Sequence, residues 1–287
     1  MQKRIAAIHD LSCFGKCSLT VVLPIVSCMG VECAVLPTAL LSGHFAALKS
    51  VDVLDLTDRM AVIADQWAES GVEFDGIFSG YLGSAAQAEA VLRFVERFRR
   101  KDTVFVADPA MADRGKLYRG FGMDHVQAMA RLGAGADVAL PNVTEACLML
   151  DKPYREDHDR AMIEDLVWGM RKLGAGAVVL TGVSLTPDRV GIACCDGGDV
   201  TFFDRPRVPG HYNGTGDIFA SVFTASLVRG SGFLPSARRA ADFTSRVIAG
   251  TAKNPEHRSY GVDFEQCLHL LTREAEQEDS HDLCFGG

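Results

Sequence analysis

Short apolar runs with β character alternate along this chain with longer stretches of helical periodicity, and that alternation constrains the fold more than any other feature. The runs are "RIAAIH", "CAVLP", "FDGIFSG", "TVFVADP", "ADVALPN" and "GAVVLTG", followed by "VGIACC" and "VTFFD" around a "DGGD" turn. Apolar residues recur at helical spacing in 55–69, 84–99, 159–173 and 215–229, and the negative charge of "EDHDRAMIED" sits where a helix begins and its dipole favours an acid. Strands separated by helices are joined by crossovers, so the pattern predicts an α/β fold: a three-layer α/β/α sandwich with a mostly parallel central sheet. The hairpin 190–204, turning at Asp196-Gly197-Gly198, is the one antiparallel excursion expected.

With 287 residues, 48% of them hydrophobic, the chain can bury one large core. No linker, repeat or low-complexity tract divides it, so one domain is expected over 1–276 with a polar, frayed tail at 277–287. Twenty-nine Lys and Arg against 37 Asp and Glu give a net charge of −8, without the basic face that nucleic acid needs; a small-molecule partner fits better. No apolar run reaches the roughly 18–20 residues of a membrane span, and "MQKRIAAIHDLSC" lacks the features of a signal peptide, so the cytoplasm is the expected location. Nine cysteines include no CxxC pair, and Cys13 and Cys17 have no second pair at zinc spacing, which favours buried or idle thiols.

Several strands end in polar or small residues: His9-Asp10, Ser79-Gly80, Asp108-Pro109, Asn142 and Thr181-Gly182. Ligands of open α/β sheets bind beyond the carboxyl ends of the strands, so these residues are expected to converge. The most pointed stretch is "HYNGTGDIF" at 211–219, which runs into the apolar helical segment "IFASVFTASLV". Gly214, Thr215 and Gly216 fall where a helix exposes unpaired N–H groups, a place for an oxyanion. Asp217 beside such a cradle suits a general base that takes a proton from an attacking hydroxyl. It also suits an ordinary first-turn acid stabilised by the dipole, and the tetrapeptide alone leaves both open. No Gly-Lys-Ser/Thr follows, so this is not a Walker A loop.

"GTGDIFAS" resembles the GTGD signature of the ribokinase superfamily, whose members phosphorylate small alcohols with ATP. "FSGYLGS", "DPAMADRGKLY", "LPNVTEA" and "RSYGVDFE" resemble the pyridoxal kinase branch, in the same order along the chain, and "HDLSCFGKCSLTVVLPIVSCMG" is similar in its phenylalanine-glycine step. The resemblance implies a ribokinase-like fold and an ATP-dependent kinase for the 5′-hydroxymethyl group of pyridoxal, pyridoxamine or pyridoxine. It makes Asp217 the base and Gly214, Thr215 and Gly216 the anion hole. Asn142 and Glu145 match a pair that arranges Mg²⁺ and the ATP phosphates, Glu145 through water; a capping box is the structural reading of the same two residues. Asp113 matches an acid near phosphates and cations, Tyr118 a tyrosine of the flap at 111–120, and Thr181 a nucleotide contact.

On the substrate side the resemblance implies Asp10, Thr38, His44, Phe45 and Tyr81, with departures: Asp10 stands where the family commonly has serine, and Phe45 where it has threonine. It also implies a homodimer and leaves a monovalent-cation requirement open. Two alternatives remain: a hydroxymethylpyrimidine kinase of the thiamine pathway, with the same base and a similar flat substrate, and a vitamer- or nucleotide-binding sensor without chemistry.

Overall fold

The computed structural model describes residues 2–272, so the tail expected at 277–287 lies outside the described residues. The strands are β1 (Arg4–Ser12), β2 (Glu32–Leu41), β3 (Val53–Asp55), β4 (Gly76–Ser79), β5 (Val104–Ala107), β6 (Ala112–Asp113), β7 (Lys116–Leu117), β8 (Val138–Ala139), β9 (Ala177–Val183), β10 (Arg189–Cys195) and β11 (Thr201–Pro206). The helices are α1 (Leu19–Cys28), α2 (Thr57–Glu69), α3 (Ala85–Phe98), α4 (Met123–Ala134), α5 (Val143–Met149), α6 (Arg160–Leu173), α7 (Thr215–Val228) and α8 (Phe233–Ala252), followed by a 3-10 turn at Phe264–Cys267.

Nine strands form one sheet in the order β11-β10-β9-β8-β5-β4-β1-β2-β3, while β6 and β7 make a separate hairpin. The pairs from β2 through β1, β4, β5 and β8 to β9 are all parallel. The expected antiparallel hairpin β10–β11 is present. It is not the sole antiparallel excursion: β9–β10 and β2–β3 are antiparallel as well, as is β6–β7. Antiparallel neighbours need no crossover helix, and the three-residue β3 is too short to show alternation in the sequence.

Side-chain alternation in β1 divides the interior. Ala6 and Ile8 face the core shared with α2 to α6, whereas Ile5 and Ala7 face the core shared with α1, α7 and α8. Helix α6 illustrates why these segments are helical: Ile163, Leu166, Val167 and Met170 form a buried stripe at helical spacing. Its N-cap Asp159 accepts from the Met162 N–H at 2.8 Å, and Arg171 and Lys172 close the last turn where the dipole favours cations. Each such buried apolar side chain contributes about 1.5–3 kcal/mol. Among the described residues, no helix is long and apolar enough to cross a membrane.

Candidate active site

The segment 211–217 takes the form its glycines suggested. Gly214 caps α7 in the left-handed region at φ 79°, and a Cβ there would stand 2.3 Å from the Lys16 carbonyl oxygen. Only glycine accommodates both conditions, and the N–H groups at the start of α7 are left without partners inside the helix. Asp217 lies in the first turn. Burial pushes its pKa up to about 7, against the backbone N–H of Ser18 and with the charge of Asp10 adding to the rise.

Asp10 lies within β1 rather than beyond it, because the strand continues to Ser12 through an irregularity between His9 and Leu11. It is 3% exposed, and burial raises its pKa while the hydroxyls of Ser18 and Ser12 and its own backbone pull it down. The Ser12 hydroxyl donates to Asp10 Oδ2 at 3.1 Å. Ser18 lies beside both carboxylates, its backbone N–H acting on Asp217 and its hydroxyl on Asp10. Its φ of 47° is a costly conformation for a residue with a side chain and fits a constrained site. Tyr81 belongs to the same neighbourhood: burial first, then the charge of Asp10, pushes its hydroxyl up to about 12.

A second set of acids lies nearby, with Asp108 acted on by both Glu145 and Asp217. Glu145 and Asn142 form a capping box on α5, with Asn142 Oδ1 accepting from the Glu145 N–H at 2.9 Å and Glu145 Oε2 from the Asn142 N–H at 2.8 Å. The other carboxylate oxygen, Oε1, accepts from the Met111 N–H at 3.0 Å and the Ala112 N–H at 3.4 Å. The structural reading of this pair, a capping box, is the one the geometry shows, and the box that starts α5 also seats the β6–β7 flap. Burial pushes Glu145 up to about 8 despite these donors. Asp108 is raised well above its ordinary value, first by burial and then by Glu145 and Asp217, with no donor opposing the rise.

The flap is held at further points. Asn142 Nδ2 donates to the Ala112 carbonyl at 2.8 Å, and the Gly115 N–H donates to Thr144 Oγ1 at 3.0 Å. Gly115 has φ 76°, and a Cβ there would meet the Tyr154 ring at 2.6 Å. Tyr118, 41% exposed, follows the hairpin, its hydroxyl raised by burial and then by Glu145, Asp113, Asp108 and Asp217. The Thr181 N–H donates to the Pro141 carbonyl at 2.9 Å and Thr181 bridges to Asn142, which puts it beside the start of α5; it lies inside β9, which continues to Val183, rather than at the strand's end.

The structure thus brings Asp10, Tyr81, Asp108, Tyr118, Glu145 and Asp217 into one electrostatic neighbourhood. Asp113 is exposed, its carboxylate 3.7 Å from the Arg114 guanidinium. His44 is half-buried on the loop packed against Phe14 and Gly15, its N–H donating to the Phe14 carbonyl at 2.7 Å. Thr38 is fully buried in β2 and its hydroxyl has no partner. Phe45 is 61% exposed. Sequence reasoning placed Asp108 among the converging strand ends without a chemical role, and gave no role to Ser18. The doubled aspartate of "DPAMAD" signals the first, but the strained backbone of Ser18 leaves no trace in composition or periodicity.

Among the described residues, no three His, Cys, Asp or Glu side chains are arranged to hold a metal ion by themselves. Asp108 nevertheless fits a hard cation, being a half-buried carboxylate with no opposing donor, whereas both oxygens of Glu145 are already engaged by N–H groups. That donor set suits Mg²⁺, which keeps several waters and shares its shell with phosphates. A groove on α8 lined by Arg238, Arg239, Arg246 and Leu270 shares no residue with this cleft.

Comparison with known proteins follows the same outline. The phosphomethylpyrimidine kinase family model matches residues 23–263. A provisionally assigned phosphomethylpyrimidine kinase from Bacteroides thetaiotaomicron, solved with pyridoxal, superposes with a TM-score of 0.89 at 38% identity, covering 94% of this chain and 96% of its own. Pyridoxal kinase from Lactobacillus plantarum gives 0.88 at 33% identity, covering 96% and 99%. The pyridoxine/pyridoxal/pyridoxamine kinase of Bordetella bronchiseptica is 27% identical over 255 residues, 83% of this chain and 85% of that protein.

Proposed function

The chain belongs to the phosphomethylpyrimidine kinase family, within the ribokinase-like superfamily, and from that premise we propose that it phosphorylates the 5′-hydroxymethyl group of a vitamin B6 vitamer at the expense of ATP. One observation carries the chemistry: a half-buried carboxylate, its pKa raised to about 7, stands in the first turn of α7, directly after a glycine turn that exposes helix N–H groups. A base of that strength is poised to accept a proton at neutral pH.

In this mechanism Asp217 takes the proton of the vitamer's hydroxymethyl group. The oxygen then bonds to the γ-phosphorus as the bond to the bridging oxygen breaks and ADP departs. The N–H groups at 214–217 and the α7 dipole stabilise charge on the transferring phosphoryl group. The flap 112–117 limits the access of water to that group. Asp108 and Asp113 would hold Mg²⁺, with Glu145 reached through water, and the ion would neutralise phosphate charge. Met111, Ala112 and Asn142 fix Glu145 so that the flap and α5 keep one relative position. The same reading makes 1–276 a single kinase domain and the protein a cytoplasmic homodimer, the last checked by light scattering.

The test is ATP consumption with pyridoxal, pyridoxamine, pyridoxine and hydroxymethylpyrimidine, compared by kcat/KM. Turnover on a vitamer that falls by about 10²–10⁴ in Asp217→Asn, with ATP binding retained, is the expected result. A preference for the pyrimidine moves the substrate while keeping the mechanism. Turnover on none of the four overturns the kinase reading and favours a sensor.

A further inference from the structure

We propose that Asp10 is the counter-charge for a protonated nitrogen of the substrate, so that this site selects cationic vitamers; the inference rests on the B6 reading above. Asp10 and Asp217 are two carboxylates close enough to act on one another, tied to the same residue, Ser18. Among the described residues, no lysine or arginine makes an ion pair with either. Lys16, on the adjoining loop, is committed elsewhere, its Nζ 3.2 Å from Asp263 Oδ1 and 2.9 Å from Glu265 Oε2.

A buried carboxylate needs either a proton or a cation. The donors around Asp10 are the hydroxyls of Ser12 and Ser18 and its own backbone, which orient the carboxylate without neutralising it. On the strands flanking β1, the hydroxyls of Thr38 and Ser79 are fully buried without partners, so this end of the sheet holds unfilled polar capacity. A flat aromatic alcohol with a protonated ring nitrogen, or with a protonated aminomethyl group, supplies the missing charge. It also does something a neutral alcohol cannot. By screening Asp10 from Asp217, the bound cation lowers the proton affinity of the base and favours its ionised, competent form. Ser18 makes the geometry of the two carboxylates interdependent.

The experiment measures Kd by absorbance titration of wild type, Asp10→Asn and Asp10→Ser with pyridoxamine, pyridoxine and the benzenoid analogue of pyridoxine, in which CH replaces the ring nitrogen. Both variants keep a hydrogen-bonding group and remove the charge, and the serine variant serves where asparagine does not fold. The expected result is about a tenfold or greater loss for the cationic ligand and little change for the benzenoid analogue. A loss confined to pyridoxamine assigns the charge to the aminomethyl group. A loss shared by pyridoxamine and pyridoxine assigns it to the ring. Equal effects on all three ligands overturn the proposal while leaving the kinase reading intact, and absence of vitamer binding by wild type overturns both.

Discussion

Arg114, at the tip of the β6–β7 flap, lies 2.8 Å through Nη2 from Nδ1 of His211, on the loop that leads into the glycine turn. A guanidinium can only donate, so Nδ1 is the acceptor and the imidazole proton belongs on Nε2, where Asn213 Oδ1 stands 3.0 Å away. Asn213 in turn donates through Nδ2 to the Ser259 carbonyl at 2.7 Å. Flap, glycine loop and the 259–261 segment are thereby latched across the cleft.

Breaking the latch is expected to open the flap. Arg114→Ala and His211→Ala should each raise KM for ATP several-fold and increase ATP hydrolysis in the absence of vitamer, measured as phosphate release. Stability to urea should change little, because both side chains are exposed. Wild-type phosphate release and KM in both variants would separate the latch from turnover.

The pKa of Asp217 sets two pH dependences of opposite sense. Activity should rise with pH and level off above about 7, as the base ionises. For stability, the folded-state pKa lies above the unfolded value, so the protonated form favours folding. That contribution is complete below about pH 4 and is lost as pH rises towards 7. Asp217→Asn should therefore melt a few degrees above wild type at pH 8, with the two converging at pH 4, as followed by calorimetry.

Glu145→Gln is expected to damage fold and flap together. One carboxylate oxygen becomes an amide NH₂ facing backbone N–H donors, either that of Asn142 or those of Met111 and Ala112. Urea unfolding should show a loss of about 1–3 kcal/mol. Limited proteolysis should cut first near 111–120, and an uncut flap would show that the hairpin is held without Glu145.

Gly214→Ala tests the turn. The left-handed conformation costs alanine about 1–2 kcal/mol, and the Lys16 carbonyl must also move. A fall in kcat of at least about tenfold is expected from displaced N–H groups, since about 1.4 kcal/mol corresponds to a factor of ten. A fall in Tm alone, with kcat kept, would make the turn structural and nothing more.

Much of this was legible in the sequence because it depends on period. The eight strand-like runs, the helical stripes and the convergence of strand ends follow from which residues prefer water, and Gly214 through Asp217 were marked by their own chemistry. What escaped depends on neighbours distant in the chain. Helix α1 hides a proline at Pro24 within an apolar run that carries no helical stripe. The antiparallel sheet margins depend on which short strands find partners. Ser18 became visible only when Asp10 and Asp217 were brought to either side of it.

The pairing of Lys16 with Asp263, 247 positions apart, has a bearing on synthesis. The loop whose carbonyl backs Gly214 is made long before its anchor. Throughout elongation, a partly made chain can carry Asp10 and the flap yet lack the turn and the clamp that complete the cleft. Any chain cut short before residue 263 should remain catalytically silent, so this architecture withholds phosphoryl transfer until the sheet, α7 and α8 have been assembled together.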